Sequence, residues 1–115
     1  MYEVLKINKY NNACLNFIKH LPRTKQLKFF LEKPYGIELL LFLYEHNNFS
    51  GIENLYYEIQ YPKGRLPSFR KFIYYLYDKK CLKIDNNKKI LREKIVVLSS
   101  NAFFELDAIF KFYKQ

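Results

Sequence analysis

The sequence predicts a mainly α-helical protein with one small β-hairpin, an α+β fold class. Apolar residues recur at helical spacing in six segments, and a single pair of β-rich segments flanks an Asn-Asn-Lys-Lys turn. Half of the 115 residues are hydrophobic and 19% are aromatic, so the chain can bury a core of its own. No repeat, low-complexity tract or Gly/Ser linker interrupts it. We therefore expect one compact unit.

The first 33 residues predict two short elements. Asn11 and Asn12 are suitable caps for a helix over Ala13–Leu21, which Pro22 is expected to end. The next segment, Lys25–Lys33, fits a second short helix or a strand. Its inward positions would be Leu27, Phe30 and Leu31.

The segment after Gly36 predicts the central helix of the domain. Apolar residues occupy nearly the whole circumference of Ile37–Tyr44, which is typical of a helix buried on all sides. Asn47-Asn48 is expected to stop this helix. Phe49-Ser50 is long enough only for a very short strand, and a Ser-Gly cap then favours a further helix over Ile52–Gln60.

A turn at residues 61–64 precedes the next helical pattern, Pro67–Lys80. Two strands, Leu82–Asp85 and Ile90–Leu98, follow as a hairpin, and Ser99-Ser100 can cap a closing helix over Asn101–Tyr113. The inward stripe of the helix over Pro67–Lys80 is Phe69, Phe72, Ile73, Leu76 and Tyr77. Its outward residues are Ser68, Arg70, Lys71, Tyr74, Tyr75 and Asp78.

The closing helix carries more apolar surface than its own domain requires, which indicates a partner. We expect it to be a dimerisation element. The residues of that interface would be Phe103, Leu106, Ile109, Phe110 and Tyr113.

The basic charge of the chain is concentrated in two blocks. The net charge is +9, with +5 in residues 1–33, −4 in residues 34–60 and +8 in residues 61–94. The middle block contains no Lys or Arg, so a uniform compositional bias does not explain the pattern. A polyanion, nucleic acid before anionic membrane, is the partner that such blocks favour. The four glutamates of the middle block are expected to face away from it; they are Glu38, Glu45, Glu53 and Glu58.

Several other kinds of chemistry find no pattern to support them. Cys14 and Cys81 are 67 positions apart without a C-x-x-C pair, so two reduced, buried thiols are expected. His20 and His46 have no further ligand at metal-binding spacing, and the three glycines form no phosphate loop. No apolar run is long enough to span a membrane, and the N-terminus lacks the order of a signal peptide. We expect a cytoplasmic protein without a cofactor or metal, and not an enzyme.

From Gly36 to Tyr113 the predicted order is helix, short strand, helix, turn, helix, hairpin, helix. This order resembles the winged helix-turn-helix of the MarR, HxlR and PadR transcription regulators, with extra N-terminal and C-terminal helices. Leu66-Pro67-Ser68 and the step Asp78–Ile84 are similar to the recognition-helix signature of that group, in which the helix ends in Lys-Gly-Leu-Ile before the wing. Cys81 stands where that signature has glycine, at a C-cap that prefers a left-handed residue.

The resemblance covers about the last 80 residues and implies a division of the chain. Residues 1–33 would be an N-terminal helical extension, residues 34–98 the winged-helix core, and residues 99–115 the C-terminal dimerisation helix. Whether residues 1–33 dimerise, bind DNA or cover the core stays open at this point.

The resemblance also implies the function: sequence-specific binding of double-stranded DNA by a homodimeric transcriptional repressor. Arg70 would read a base edge, because arginine bonds bidentately to guanine. Residues before the helix and in the wing would contact phosphates or an adjacent minor groove. The full set implied is Lys63, Arg65, Ser68, Arg70, Lys71, Tyr74, Tyr75, Lys88, Lys89 and Arg92.

Two alternatives remain for the function. One is a structural or replication-associated DNA-binding protein of a plasmid or virus, with little sequence preference. The other is a protein-interaction winged helix that does not bind DNA. Binding of RNA or single strands is less favoured, because the aromatic residues follow helical core spacing and the predicted hairpin has none.

Overall fold

The computed structural model describes residues 17–46, 48–90 and 93–113, with the backbone alone for residues 112 and 113. Two 3-10 helices come first, Leu21–Arg23 and Leu27–Glu32. The elements that follow are α1 (Gly36–Glu45), β1 (Phe49–Ser50), α2 (Ile52–Glu58), α3 (Leu66–Asp78), β2 (Leu82–Asn86), β3 (Lys94–Leu98) and α4 (Ser100–Tyr113). The α+β fold class is confirmed. The expected caps at Asn11 and Asn12 lie outside the described residues.

The three strands form one antiparallel sheet in the order β1-β3-β2. In the hairpin Leu82 pairs with Leu98 and Asn86 with Lys94, while β1 adds a short third strand beside Val96. Leu82 is buried and Ile84 half-buried on the face that covers the helices, whereas the alternate residues of β2 are exposed. The sheet therefore closes one side of a helical core.

A single hydrophobic core joins the N-terminal segment to the helices. Leu39, Leu40 and Leu43 of α1 are buried, as expected of the central helix, and Leu21 and Phe30 belong to the same cluster. The described part of the N-terminal segment thus covers this core. Among the described residues, no helix has the length and apolarity needed to cross a membrane.

The N-terminal segment agrees with the expected elements and refines their bounds. The α-helical residues 17–20 precede the first 3-10 helix, and Pro22 lies in the first turn of that 3-10 helix, where its missing N–H costs nothing. In the second 3-10 helix Leu27 and Phe30 are fully buried, and Leu31 is half-buried and packs against the same core. With three residues per turn, positions 27 and 30 share one face and position 31 lies at its margin.

The end of α3 is a Schellman turn. The Cys81 N–H donates to the Leu76 carbonyl at 2.9 Å and the Lys80 N–H to the Tyr77 carbonyl at 3.0 Å. Lys80, with φ of 64°, is the left-handed residue, so the position expected at Cys81 lies one residue earlier. Cys81 is instead fully buried, and its thiol donates to the Gln26 carbonyl.

The closing helix packs against its own domain with most of the stripe that was expected to dimerise. Leu106 is fully buried, and Phe103 and Phe110 lie 5.1 Å from the Tyr44 ring, centroid to centroid. Ile109 is also half-buried against the core, and the Tyr113 side chain lies outside the described atoms. Among the described side chains of α4, the exposed aromatic one is that of Phe104.

Two further contacts hold α4 in place. The Ala102 N–H donates to Ser99 Oγ, so the expected serine cap is confirmed. Both oxygens of the Glu105 carboxylate accept backbone N–H groups, those of Lys25 and Gln26, at 2.8 and 2.9 Å. The first and last described segments are therefore tied together.

Candidate nucleic-acid interface

The helix α3 presents a polar, basic face at its first turns. It begins at Leu66, with Arg65 as an extended N-cap and a proline in the first turn, where the helix leaves N–H groups free. No acidic residue lies in that turn, so the positive end of the helix dipole adds to the charges of Arg65, Arg70 and Lys71. Ser68, Arg70, Lys71 and Tyr74 are exposed, as expected.

The opposite face of α3 fixes its position. Phe69, Ile73 and Leu76 are completely buried and Phe72 nearly so. The Phe69 ring packs against Tyr35, which precedes α1, and against Tyr56 of α2, with centroids 5.6 and 5.4 Å away. The exposed face is therefore carried on a helix that three other elements hold.

Two tyrosines of α3 are placed differently from the sequence prediction. Tyr75, expected outward, is half-buried, stacks on Phe72 and meets the edge of Phe29. Burial raises the pKa of Tyr75, and the negative charge of Glu32 adds to this. Tyr77, expected inward, is 47% exposed. Both flank the apolar stripe, and the second 3-10 helix covers only the Tyr75 side.

The turn between α2 and α3 is held by side chains. The Glu38 carboxylate accepts the N–H groups of Gln60 and Tyr61 at 2.7 and 2.8 Å. The Tyr56 hydroxyl donates to the Gly64 carbonyl at 2.5 Å. Glu38 therefore has a structural role that its acidic charge alone did not indicate.

Lys63 takes part in the same turn. Its ammonium lies 4.7 Å from the centroid of the Tyr56 ring and donates to the Ile59 carbonyl, and the residue is half-buried. The resemblance implied that the Lys63 ammonium contacts the DNA backbone, and these contacts within the turn already engage it. Arg65, two residues later, is exposed.

The wing is the connection between β2 and β3, residues 87–93. Lys88 and Lys89 are exposed at its tip, as expected, and Arg92 lies outside the described residues. β3 begins at Lys94 rather than at Ile90, because the Asn87 side chain accepts the N–H groups of Lys89 and Ile90 and turns the chain. Strand β3 thus begins four residues later than the sequence predicted.

A polar network anchors the wing to the start of α2. Ser50 Oγ donates to the Glu93 carboxylate at 2.7 Å and accepts from the Asn87 amide at 2.8 Å. The Asn54 amide donates to the other Glu93 oxygen and to the Ser50 carbonyl, both at 3.2 Å. Three of these four contacts join residues that are 37 to 43 positions apart, so sequence spacing gave no sign of the network.

A cleft of about 490 Å³ separates α3 from the wing. Arg70 and Tyr74 line its α3 side and Ile90 and Lys94 its wing side. Its floor is the start of α2 and the wing base, with Gly51, Ile52, Glu53, Asn54 and Glu93. Glu53 thus lines the same cleft as Arg70, which corrects the expectation that the acidic residues of the middle block all face away from the basic surface. The cause is that α2 begins directly under the wing.

Cys81 has no part in this surface. Burial raises the pKa of its thiol to about 12, with the Glu105 charge adding and Lys79 opposing. The group therefore stays a protonated, weakly nucleophilic thiol near neutral pH. The expected burial is confirmed for Cys81, and Cys14 lies outside the described residues.

The succession α1, β1, α2, turn, α3 and β2–β3 hairpin, with the short strand completing the sheet, defines a winged helix-turn-helix fold. Two solved structures share it. The structure of reduced AbfR bound to DNA superposes with a TM-score of 0.55 at 20% identity, over 98% of this chain and 79% of that one. The overoxidized AbfR bound to DNA gives a TM-score of 0.54 at 19% identity, over 98% and 81%. No protein-family model and no curated protein matches the sequence.

Proposed function

We propose that the chain binds double-stranded DNA through α3 and the wing and acts as a transcriptional repressor that occupies an operator. The observation that carries this proposal is the placement of Ser68, Arg70, Lys71 and Tyr74 on the exposed face of a helix whose other face is buried. The similarity to two structures of AbfR bound to DNA supports it.

In this proposal the two basic elements, α3 and the wing, have separate tasks. The major groove admits one α-helix, and the first turns of α3 carry the side chains that would reach base edges. Arg70 is the residue suited to a bidentate contact with guanine, and Tyr74 to contact with a thymine methyl or a phosphate. Arg65 and the wing residues Lys88 and Lys89 would hold phosphates and set the register.

Arg70→Ala is expected to weaken binding to the preferred duplex about tenfold to a hundredfold, because one bidentate base contact contributes about 1–3 kcal/mol. Binding of wild type and variant to the DNA upstream of the gene and to random-sequence duplex, at about 50 mM and about 200 mM KCl, measures it. The matched control is Arg23→Ala, which removes the same charge from the exposed first 3-10 helix.

The outcomes separate the candidate functions. Steep salt dependence, a preference of about three orders of magnitude for one duplex and loss of that preference in Arg70→Ala support the repressor. Equal affinity for all duplexes would indicate a DNA-coating protein instead. If the protein binds none of the duplexes, the remaining candidate is a protein-interaction winged helix that does not bind DNA.

We also propose that the protein acts as a homodimer, which would place two α3 helices about 34 Å apart on a palindromic site. The exposed aromatic residue of α4, Phe104, supports α4 as part of the interface, since 66% of it is accessible in the single chain. Phe104→Glu is expected to shift the protein from dimer to monomer in sedimentation velocity. A wild-type protein that sediments as a single chain at micromolar concentration would contradict the proposal.

A further inference from the structure

The cleft between α3 and the wing carries charges of both signs. Arg70 and Lys94 line it together with Glu53 and Glu93, although the surface around it, on α3 and the wing, is basic. A surface optimised only for attraction to phosphate would exclude carboxylates from this place, because each one repels the phosphates that its neighbours attract.

The two carboxylates are held differently. Glu93 is fixed by the Ser50 hydroxyl and the Asn54 amide, so its charge stays at the wing base. Glu53 is exposed in the first turn of α2, where the helix dipole favours a negative charge. Both carboxylates therefore line the cleft that Arg70 also lines.

We propose that Glu53 and Glu93 are specificity-determining residues that keep Arg70 from binding phosphate. This inference rests on the proposed DNA-binding function. A guanidinium pairs with a phosphate in every register along the duplex but with a guanine edge only in the correct one. Carboxylates beside Arg70 raise the free energy of each complex in which a phosphate enters the cleft. They oppose a base edge less strongly, because the edge is uncharged and the cytosine paired with the guanine presents an amino donor in the same groove. Non-specific complexes are therefore weakened more than the specific one.

Glu53→Gln tests the proposal, because glutamine keeps the shape of the side chain and removes its charge. Among the described residues, the hydrogen bonds that anchor the wing do not involve Glu53. Two probes are used: a random-sequence duplex and a duplex obtained by selection with the wild-type protein. At about 50 mM KCl the variant is expected to bind the random duplex about threefold to tenfold more tightly, and the gain should shrink at about 200 mM. Affinity for the selected duplex should change by less than about twofold.

Two controls locate the effect. Glu58→Gln removes the same charge from the exposed end of α2, outside the cleft, and is expected to leave both affinities within about twofold of wild type. In an Arg70→Ala background the gain in affinity from Glu53→Gln should disappear. Once the Glu53 charge is removed, Arg70 is the group that would bind the phosphate.

Three results would overturn the inference. An equal gain on both duplexes would show a general field effect. A loss on the selected duplex alone would show that Glu53 itself contacts a base. No change on either duplex, with wild-type binding intact, would show that the carboxylate is too distant from DNA. A wild-type protein that binds neither duplex would contradict the proposed function itself, whatever the variants show.

Discussion

Replacing Gly36 by alanine is expected to lower the free energy of unfolding by about 3 kcal/mol or more, since a methyl group has no space there. An ideal Cβ on Gly36 would lie 1.5 Å from the Phe30 carbonyl oxygen and 2.6 Å from its carbon. These are backbone atoms, so no rotamer change can relieve the overlap. The second 3-10 helix would have to move from the start of α1, which the Gly36 N–H bond to the Lys33 carbonyl now holds. The urea unfolding midpoint measures the loss.

Gly64→Ala is the matched control. Gly64 has a φ of 70°, but no atom lies within 4 Å of its ideal Cβ. The substitution therefore incurs left-handed strain alone, about 1 kcal/mol. A Gly36→Ala protein as stable as wild type, or one less affected than Gly64→Ala, would contradict the close approach of the 3-10 helix to α1.

Phe69→Ala is expected to lower the free energy of unfolding by about 3–5 kcal/mol, which is a large part of the stability of a small domain. Phe69 is fully buried and its ring contacts both Tyr35 and Tyr56, so truncation leaves a cavity between α3, α2 and the residue before α1. Chemical denaturation measures the stability. Binding to the selected duplex should fall with it, because the same contacts hold the exposed face of α3.

The control for this prediction is Tyr57→Ala, an aromatic truncation on α2 at a position that is 66% exposed. Its effect on stability should stay within about 1 kcal/mol. Where Phe69→Ala proves too unstable to measure, Phe69→Leu keeps part of the buried volume and should show a smaller loss of the same sign. Equal midpoints for Phe69→Ala and Tyr57→Ala would refute the assigned packing of α3.

The helices were predictable because their apolar periods are long and regular. The stripe of α3 at Phe69, Phe72, Ile73 and Leu76 repeats at three and four, and all four residues are buried. The serine cap of α4 and the two-residue strand β1 also agreed with local signals. The basic face of α3 followed directly, since the residues outside the stripe include Arg70 and Lys71.

Positions at the margin of a stripe could not be predicted. Tyr75 and Tyr77 lie on either side of the buried face of α3, and the helical period alone does not indicate which of the two is covered. The Phe29 ring covers Tyr75 and no comparable contact is found at Tyr77 within the described residues. In α4 the expected dimer stripe is used inside the subunit, because Tyr44 of α1 lies opposite Phe103 and Phe110.

By itself, the sequence determined the fold class, the order of elements from α1 to α4 and the two basic blocks, because these depend on residue types and spacing along one chain. Only the tertiary structure decided which charges meet. The carboxylates Glu38 and Glu93 hold a turn and the wing, and Glu53 and Arg70 line one cleft. Such pairs join residues of different elements, and an ion pair or hydrogen bond between distant segments leaves no period in the sequence from which it could be found.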